Sequence, residues 1–188
     1  ADASMAIQNC PVVSMSDCLA ANLICATPGM VTIDATCIDT LSIAAGKDLA
    51  LSNSAVTALT AGTPATAHSL QNSYVRTLTC QGGGTWTLDH VICEDGRLNQ
   101  SGTVNIEKST LNVTAQSAPA GVVLNIRNTI LTGLTAFQNA SGSIRYSCVP
   151  AGMSLAGFGT VEYVLTGDPR YATAPTTNPL PASIGGPL

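Results

Sequence analysis

The chain has 188 residues, of which 45% are hydrophobic and 10% are charged, and its formal net charge is −4. This composition supplies enough apolar side chains for one sizeable core and argues against extensive disorder. Lys and Arg together number seven, so no basic patch is present and nucleic acid is not expected as a partner. No apolar run approaches the roughly 18 residues that a membrane-spanning helix requires.

Residues 1–30 fit the repeat described below poorly, and we interpret them as an N-terminal cap on one end of a stack. Met15 lies 18 residues before Ile33 and is a possible anchor for a degenerate coil. The start at Ala1 rather than Met is typical of a processed N-terminus. Four of the seven cysteines cluster early in the chain, and both disulfides and buried free thiols remain open for them: Cys10, Cys18, Cys25 and Cys37.

From Ile33 onward a short pattern recurs: a large apolar residue, any residue, a polar residue, a small residue, any residue, and an apolar residue. It reads Leu51-Ser-Asn-Ser-Ala-Val56 in one copy and Leu70-Gln-Asn-Ser-Tyr-Val75 in the next. We call the first residue the anchor, and the anchors lie 18 to 20 residues apart at Ile33, Leu51, Leu70, Leu88, Ile106, Ile126 and Tyr146. Further apolar residues two before, five after and eight after the anchor form three bursts, which predict three short strands in each coil.

This periodicity predicts an all-β fold, a single-stranded parallel β-solenoid of about seven coils over residues 31–165. Stacking at the ~4.8 Å strand spacing aligns the anchors into one inward column. Two residues after the anchor, Asn53, Asn72 and Asn128 predict a sharp corner, because Asn tolerates the left-handed conformation and stacked Asn side chains can hydrogen-bond. The stretch from Asp95 to Gly102 is among the segments expected to be surface loops along one rim.

Residues 166–188 contain five prolines, from Pro169 to Pro187. Proline removes a backbone donor, so this segment is predicted to be neither a central strand nor a helix. We interpret it as an extended arm that lies on the solenoid or on a partner. A flexible tail is the alternative.

The Leu-x-Asn-Ser-x-Val copies at Leu51 and Leu70 resemble the right-handed parallel β-helix superfamily, the architecture of pectate lyases, phage tailspikes and many surface adhesins. The resemblance covers residues 31–160 and implies a right-handed solenoid. Because this superfamily hosts unrelated functions, it implies no single activity.

One residue after the anchor, strand alternation places Asp89, Glu107 and Arg127 on the outer face of adjacent coils, with Cβ atoms ~5 Å apart. Two carboxylates at this spacing are able to bind Ca²⁺ or to act as an acid and nucleophile pair. We interpret the row instead as a solvated face with a Glu107–Arg127 pair worth less than about 1 kcal/mol. With Arg76 nearby, these are the residues we would expect to bind a ligand, if one binds.

Other catalytic and metal signals are weak in this sequence. Histidine is a common general base in proteins, so His90 is a candidate for that role, but it occupies the corner position, where a structural role is the simpler interpretation. The chain has two His residues and no C-x-x-C pair or phosphate loop, so we expect no metal and no cofactor.

Four residues after the anchor, the apolar residues Tyr74, Ile92 and Ile130 should face outward. Exposed apolar columns mark interfaces, so we expect protein partners, through self-association or within a larger assembly. The alternative is a different register at the corner that turns this column inward.

These observations favour a non-enzymatic structural or adhesive surface module. We expect a virion spike, fibre, decoration or minor capsid component, or a cell-envelope protein, located outside the cell or on a particle surface. One alternative is a polysaccharide-binding or polysaccharide-cleaving β-helix domain that uses the face around Asp89 and Glu107. Another is an adhesin that binds protein through the Asp95 to Gly102 loop.

Overall fold

The computed structural model describes residues 4–7, 12–26, 29–116, 121–134 and 136–167. Within these residues there is no helix, and parallel strands stack into a β-solenoid of about eight turns. The predicted fold class is therefore confirmed. None of the described segments is a helix long and apolar enough to cross a membrane.

Two parallel sheets alternate along the chain, so that consecutive strands belong to different sheets. Sheet A has ten strands: β1 (Ser4–Ile7), β3 (Leu19–Cys25), β5 (Cys37–Ile43), β7 (Ala55–Ala61), β9 (Tyr74–Gly82), β11 (Ile92–Gln100), β13 (Thr110–Gln116), β15 (Ile130–Gly133), β17 (Cys148–Val149) and β19 (Leu165–Thr166). Sheet B has nine strands: β2 (Val12–Ser16), β4 (Gly29–Asp34), β6 (Lys47–Ser52), β8 (Ala67–Gln71), β10 (Thr85–Asp89), β12 (Gly102–Glu107), β14 (Val122–Arg127), β16 (Ala140–Arg145) and β18 (Thr160–Glu162).

The anchors form one buried column along sheet B, as the repeat predicts. Leu70 pairs with Leu51 and Leu88, and the column continues through Ile106 to Ile126. These side chains are at most 1% exposed. Burying each one against its neighbours in the coils above and below stabilises the fold, as do the other inward apolar columns.

The predicted register is wrong at the C-terminal anchor. Ile126 pairs with Ile144 rather than with Tyr146, and Ile144 is fully buried whereas Tyr146 is 49% exposed. The physical reason is the corner, because Tyr146 has a φ of 50° and occupies the same left-handed position as Asn128. An aromatic residue at that position resembles an anchor in a search for apolar spacing.

Met15 pairs with Ile33 in register, and β1 to β3 continue the same two sheets toward the N-terminus. The solenoid therefore begins earlier than the predicted first anchor at Ile33, which accounts for about eight turns instead of about seven. Whether residues 1–30 act as a cap stays a prediction.

Each coil contains two strands, not three, because the apolar residues five and eight after the anchor lie in one bent strand. In β5, the inward residues are Ile38, Leu41 and Ile43, so the spacing changes from three to two residues. Asp39 and Thr40 between them both point outward, and Asp39 has no partner in the register with β7. The bend divides the sheet A side of the solenoid into two faces.

The prediction of a surface loop from Asp95 to Gly102 is also wrong, since β11 runs to Gln100 and β12 begins at Gly102. Asp95 pairs with Thr77 of β9, and Arg97 pairs with Thr79. Their charges are compatible with a strand because this face of sheet A is open to solvent. An adhesin that uses this segment as a loop is therefore not supported.

Candidate functional site

A column of left-handed corners runs along the solenoid between sheet B and sheet A. Asn53, Asn72 and Asn128 have φ values of 48° to 50°. The amide of Asn72 donates to Oδ1 of Asn53 at 3.4 Å, and Asn53 donates to Oδ1 of Asp34 at 2.8 Å. Donation from Ser52 and Asn53 keeps the pKa of Asp34 below its usual value.

His90 and Lys108 continue the corner column with φ values of 55° and 48°. The N–H of His90 donates to the carbonyl of Glu107, and the N–H of Lys108 donates to that of Arg127, both at 3.1 Å. This pairing uses backbone groups only and continues the corner pattern from coil to coil. The structure places His90 at a corner as expected, and its structural role stays a prediction.

A ladder of buried hydroxyl groups follows the corners, and sequence reasoning did not identify it. Ser54 illustrates the unit: its Oγ donates to the carbonyl of Ser52 at 2.6 Å and accepts from the N–H of Thr36 at 3.0 Å. The other members are Thr36, Ser73, Ser109, Thr129 and Ser147, each at most 5% exposed. The small residue three after each anchor was the available signal, because a small hydroxyl residue satisfies backbone donors at a corner.

The predicted interface residues Tyr74, Ile92 and Ile130 belong to a continuous outer column, which we call the flank column. Its members pair from coil to coil: Leu19, Cys37, Ala55, Tyr74, Ile92, Thr110, Ile130, Cys148 and Leu165. Tyr74, Ile92 and Ile130 are half-buried, whereas the adjacent inward residues Val75 and Cys93 are buried. The column thus lies on the outer surface, partly shielded by the corners.

Toward its C-terminal end the flank column borders a groove of about 390 Å³. Its lining includes Ile130 and Leu165 of the flank column and Tyr146 and Tyr163 of the corner column. The two tyrosine rings stack with centroids 5.0 Å apart and an interplanar angle of 7°. The groove therefore combines an aromatic wall with an aliphatic one.

The predicted charged row lies on sheet B. Asp89 and Glu107 are register partners on adjacent coils, as are Glu107 and Arg127. Their nearest charged or ionisable neighbours are other residues, since His90 Nδ1 lies 2.8 Å from Asp89 Oδ1 and Lys108 Nζ lies 3.6 Å from Glu107 Oε1. The Asp89 Oδ1 atom is buried and makes no hydrogen bond with the described residues, so its contact with His90 is one of proximity. The expected Glu107–Arg127 ion pair is not formed, and the Arg127 guanidinium lies 5.9 Å from the centre of the Tyr146 ring.

A second, smaller groove of about 240 Å³ runs beside this row. An amide and hydroxyl ladder lines it: Asn125 donates to Asn105 at 3.0 Å, and Ser143 donates to Asn125 at 3.4 Å. Arg145, also in the lining, lies 3.3 Å from Glu162. The lining mixes polar and apolar groups, and Glu107, Arg127 and Arg145 give it charge of both signs.

Arg76 does not join this row, because it lies on β9 in sheet A. There it is 3.8 Å from Glu94, which also accepts a hydrogen bond from the Tyr74 hydroxyl. Burial and the Glu94 carboxylate raise the pKa of Tyr74. A neighbouring network joins Asp95 to Thr114 and Arg97, and these donors lower the pKa of Asp95. In both networks, the charged groups interact with other members of the same network.

The described residues contain no group of three or more His, Cys, Asp or Glu side chains able to hold a metal ion. In the early cluster, Cys18 and Cys37 are exposed free thiols and Cys25 is buried, while Cys10 lies outside the described residues. Burial raises the pKa of Cys80, and it raises the pKa of Cys93 to about 12. These last two thiols are therefore poor nucleophiles.

His68 occupies an inward position of the core, where other coils have an apolar residue, and it is fully buried. Its Nδ1 accepts from the N–H of Leu49 at 3.1 Å, so its Nε2 carries the proton and donates to the carbonyl of Gly62 at 2.8 Å. The ring also packs edge-on against Trp86, with centroids 4.5 Å apart. Burial lowers the pKa of His68, which makes it a neutral packing residue rather than a catalytic base.

No protein-family model matches this chain, and no curated protein or solved structure matches it. Membership of the right-handed parallel β-helix superfamily, including the handedness, therefore stays a prediction based on the repeat.

Proposed function

We propose that this chain is a non-enzymatic structural or adhesive module that contacts other protein chains along its side. Virion spikes, fibres, decoration and minor capsid proteins, and cell-envelope proteins, are the classes that fit, with a location outside the cell or on a particle surface. The observation that carries the proposal is the flank column, in which Tyr74, Ile92 and Ile130 lie half-buried on the outer face between the exposed residues Leu19 and Leu165.

The rigidity of the described surface supports this function. Corners and sheet pairing hold the backbone of the described coils, and the hydroxyl ladder adds buried hydrogen bonds in six of them. The charged side chains near the flank column interact with neighbours in the same chain. A surface fixed in this way is suited to contact without rearrangement, because little conformational entropy is lost on binding. An apolar strip beside an aromatic groove supplies the buried area that association requires.

Analytical ultracentrifugation of the full chain and of an Ile92→Lys, Ile130→Lys double variant tests the proposal. Lateral association should raise the sedimentation coefficient of the unmodified chain with concentration, and the double variant should remain monomeric. Ser69→Lys is a matched control, since Ser69 is an exposed residue on the outer face of β8. Far-UV circular dichroism confirms folding of each variant. Lateral association unaffected by the two lysines would contradict the assignment to this column.

A polysaccharide-binding or polysaccharide-cleaving domain is the second candidate, and the polar groove on sheet B favours it. Asn105, Asn125 and Ser143 present hydrogen-bonding groups at regular spacing along that groove, as the hydroxyl groups of a sugar chain require. Retardation in gels that contain neutral or acidic polysaccharides measures binding, and Asn125→Ala should reduce it. An Asp89→Asn, Glu107→Gln variant distinguishes cleavage from binding: loss of product with an intact fold indicates catalysis, and no change excludes these two carboxylates as its source.

A further inference from the structure

The outer face of sheet B carries mostly small side chains from β8 to β18. The column one residue before each anchor shows this, since its members pair from strand to strand and are all short: Ser69, Thr87, Asn105, Asn125, Ser143 and Thr160. Short side chains project little beyond the backbone. A second sheet can therefore approach this face to the ~10 Å spacing of packed sheets.

The column one residue after each anchor is charged in the same strands. Asp89 pairs with Glu107, Glu107 with Arg127, and Arg127 with Arg145. All four side chains lie on the outer face, half-buried or exposed. We call these four residues the quartet. Along the stack its order is two carboxylates followed by two guanidinium groups.

This order is unfavourable within a single chain. Like charges directly opposite each other on adjacent strands are destabilising, and the quartet places Asp89 beside Glu107 and Arg127 beside Arg145. Glu107 and Arg145 interact with Lys108 and Glu162 instead, whereas Arg127 has no ion-pair partner among the described residues. Alternating signs would suit an isolated chain better, so the order indicates a partner outside the chain.

A second copy of the chain has the complementary order when it is turned over. A rotation of 180° about a line parallel to the strands, midway between β12 and β14, lays one sheet B on the other. It reverses the stacking direction and keeps every column opposite its own copy. Glu107 then faces Arg127 of the second copy, and Asp89 faces Arg145. Because the axis is twofold, each contact occurs twice, which gives four contacts between opposite charges.

Other positions of the axis bring like charges together. An axis on β12 places Glu107 against Glu107 of the second copy, and an axis on β14 does the same for Arg127. Midway between β10 and β12, the axis opposes Asp89 and Glu107, and midway between β14 and β16 it opposes the two arginines. The quartet therefore selects one arrangement by attraction and rejects its neighbours by repulsion.

The side chains next to the proposed axis also fit each other. Asn105 faces Asn125 of the second copy, and the Asn105 Nδ2 group makes no hydrogen bond with the described residues. It can donate to Asn125 Oδ1 of the second copy, which accepts one hydrogen bond from Ser143 and keeps a second lone pair. Val123 is 40% exposed although coils pair with it on both sides. The methyl group of Thr103 from the second copy would cover it.

The overlap is large enough for a specific contact. Six strands of each copy, from β8 to β18, would face one another over about 30 Å by about 17 Å, or about 500 Å² per copy. The total of about 1,000 Å² is near the lower limit for a specific interface. At the edge of this overlap Glu162 faces the uncharged Gln71, so no like charges meet there.

We propose that two copies of this chain associate through sheet B as an antiparallel twofold dimer, with the quartets paired across the axis. This inference rests on the proposed structural function, because it names a second copy as one of the protein partners. It uses a different face from the flank column. The same surface is used on both copies, so the contact closes at the dimer. The dimer would also cover the polar groove and leave no room there for a sugar chain.

Charge reversal at one member of the central pair tests the contact. Glu107→Arg would place two guanidinium groups against each other across the axis, and Arg127→Glu would place two carboxylates there. Each variant alone should dimerise at least ~10-fold more weakly than the unmodified chain. Sedimentation velocity at low salt measures association. Asp39→Arg is the control for net charge, since Asp39 is exposed on the bend of sheet A and its reversal changes the net charge as Glu107→Arg does.

An equimolar mixture of Glu107→Arg and Arg127→Glu provides the decisive sample. In a heterodimer, both central contacts again join opposite charges, and the contacts between Asp89 and Arg145 are unchanged. The mixture should therefore recover association that neither variant shows alone. Far-UV circular dichroism establishes that both variants are folded. A mixture that remains monomeric while both variants are folded contradicts the pairing.

Salt separates this contact from the flank contact. At ~1 M salt the Debye length falls to ~3 Å and the quartet is screened, whereas an apolar contact persists. Sedimentation at that salt therefore reports the flank contact alone, and there the Ile92→Lys, Ile130→Lys variant should be monomeric. At low salt the same variant should keep the sheet B dimer.

The remaining outcomes distinguish failure of this inference from failure of the lateral function. Association lost in the flank variant at low salt but kept in both sheet B variants would overturn the twofold dimer and leave the lateral contact intact. A chain that stays monomeric at low salt up to ~100 μM, where a contact of this size should be populated, overturns both. Retention of a monomeric unmodified chain in polysaccharide gels, reduced by Asn125→Ala, would assign this face to a sugar chain and also overturn the dimer.

Discussion

The middle and the ends of the solenoid are built from the same repeat, yet they differ in how they expose apolar residues. The described structure has ten exposed large hydrophobic residues, five between Met5 and Met30 and five between Val123 and Leu165. None lies between Val31 and Val122. In the flank column, Tyr74 and Ile92 are half-buried whereas Leu19 and Leu165 are mostly exposed. Within the flank column, residues with a described coil on both sides are therefore less exposed than the leucines near the ends. Val123 and Met30 show the other cause of exposure, since coils pair with them on both sides and they are still exposed.

The largest expected effect comes from comparing an anchor in the middle of the stack with a flank residue at its end. Leu88 is fully buried in the middle of the anchor column, so Leu88→Ala should reduce the free energy of unfolding by about 2–5 kcal/mol through lost burial and a cavity. Leu165→Ala, at the exposed end, should cost less than about 0.5 kcal/mol. Urea denaturation of both variants measures the difference, and similar losses would mean that the end coil is covered in solution.

Much of this architecture could be predicted from the spacing of apolar residues. The inward column was predicted correctly from Ile33 to Ile126, because burial between neighbouring coils requires a large apolar residue in each coil. The corners at Asn53, Asn72 and Asn128 followed from the conformational tolerance of Asn. The error at Tyr146 arose because stacking of aromatic rings at a corner satisfies the same apolar pattern.

The surfaces were less predictable, since side-chain partners depend on distances that a repeat does not define. Glu107 had two cationic neighbours, and the interaction formed with Lys108 rather than with Arg127. Arg76 was grouped with the charged row, although it lies on β9 of the other sheet, beside Glu94. In the sequence, the members of the hydroxyl ladder are recognisable only as small residues. Their role depends on backbone N–H groups of the adjacent coil, and the sequence does not show that contact.

The ladder provides the next prediction, again in the middle of the stack. Ser54→Ala should lower the free energy of unfolding by about 1–3 kcal/mol, because the N–H of Thr36 loses its buried acceptor. Ser69→Ala is the control, since Ser69 is exposed on the outer face and the change should be within about 0.5 kcal/mol. Thermal or urea unfolding measures both, and equal effects would contradict a special role for the buried hydroxyl.

Acidification should weaken the middle of the solenoid through His68. Because burial lowers the pKa of His68 below its usual 6.5, the unfolded chain binds more protons than the folded one between that value and the folded pKa. Stability should therefore be complete above pH ~6.5 and decline as pH falls toward the folded pKa, by at most about 1.4 kcal/mol per pH unit. His68→Leu should flatten this part of the pH profile in urea denaturation.

His90→Gln is the matched control for the acid effect, because His90 is exposed at a corner. A profile that keeps its slope in His68→Leu would assign the effect to other groups. The carboxylates of Asp34, Asp48 and Asp95, whose pKa values are lowered from 3.8, lose their contribution only as the pH falls below that value. Their effect therefore falls in a lower pH window.

The smallest expected effect compares a corner in the middle with one at the end. Lys108 holds a φ of 48°, a conformation that Asn adopts at lower cost, so Lys108→Asn should stabilise the fold by a few tenths to about 1 kcal/mol. Loss of the exposed Lys108–Glu107 pair subtracts little from this gain. Tyr163→Asn gives the same backbone benefit at the end but removes the stack on Tyr146, worth ~0.5–1.5 kcal/mol. Urea denaturation should therefore show a gain for Lys108→Asn and no gain for Tyr163→Asn. Equal gains would show that the exposed stack contributes nothing to the stability of the end coil.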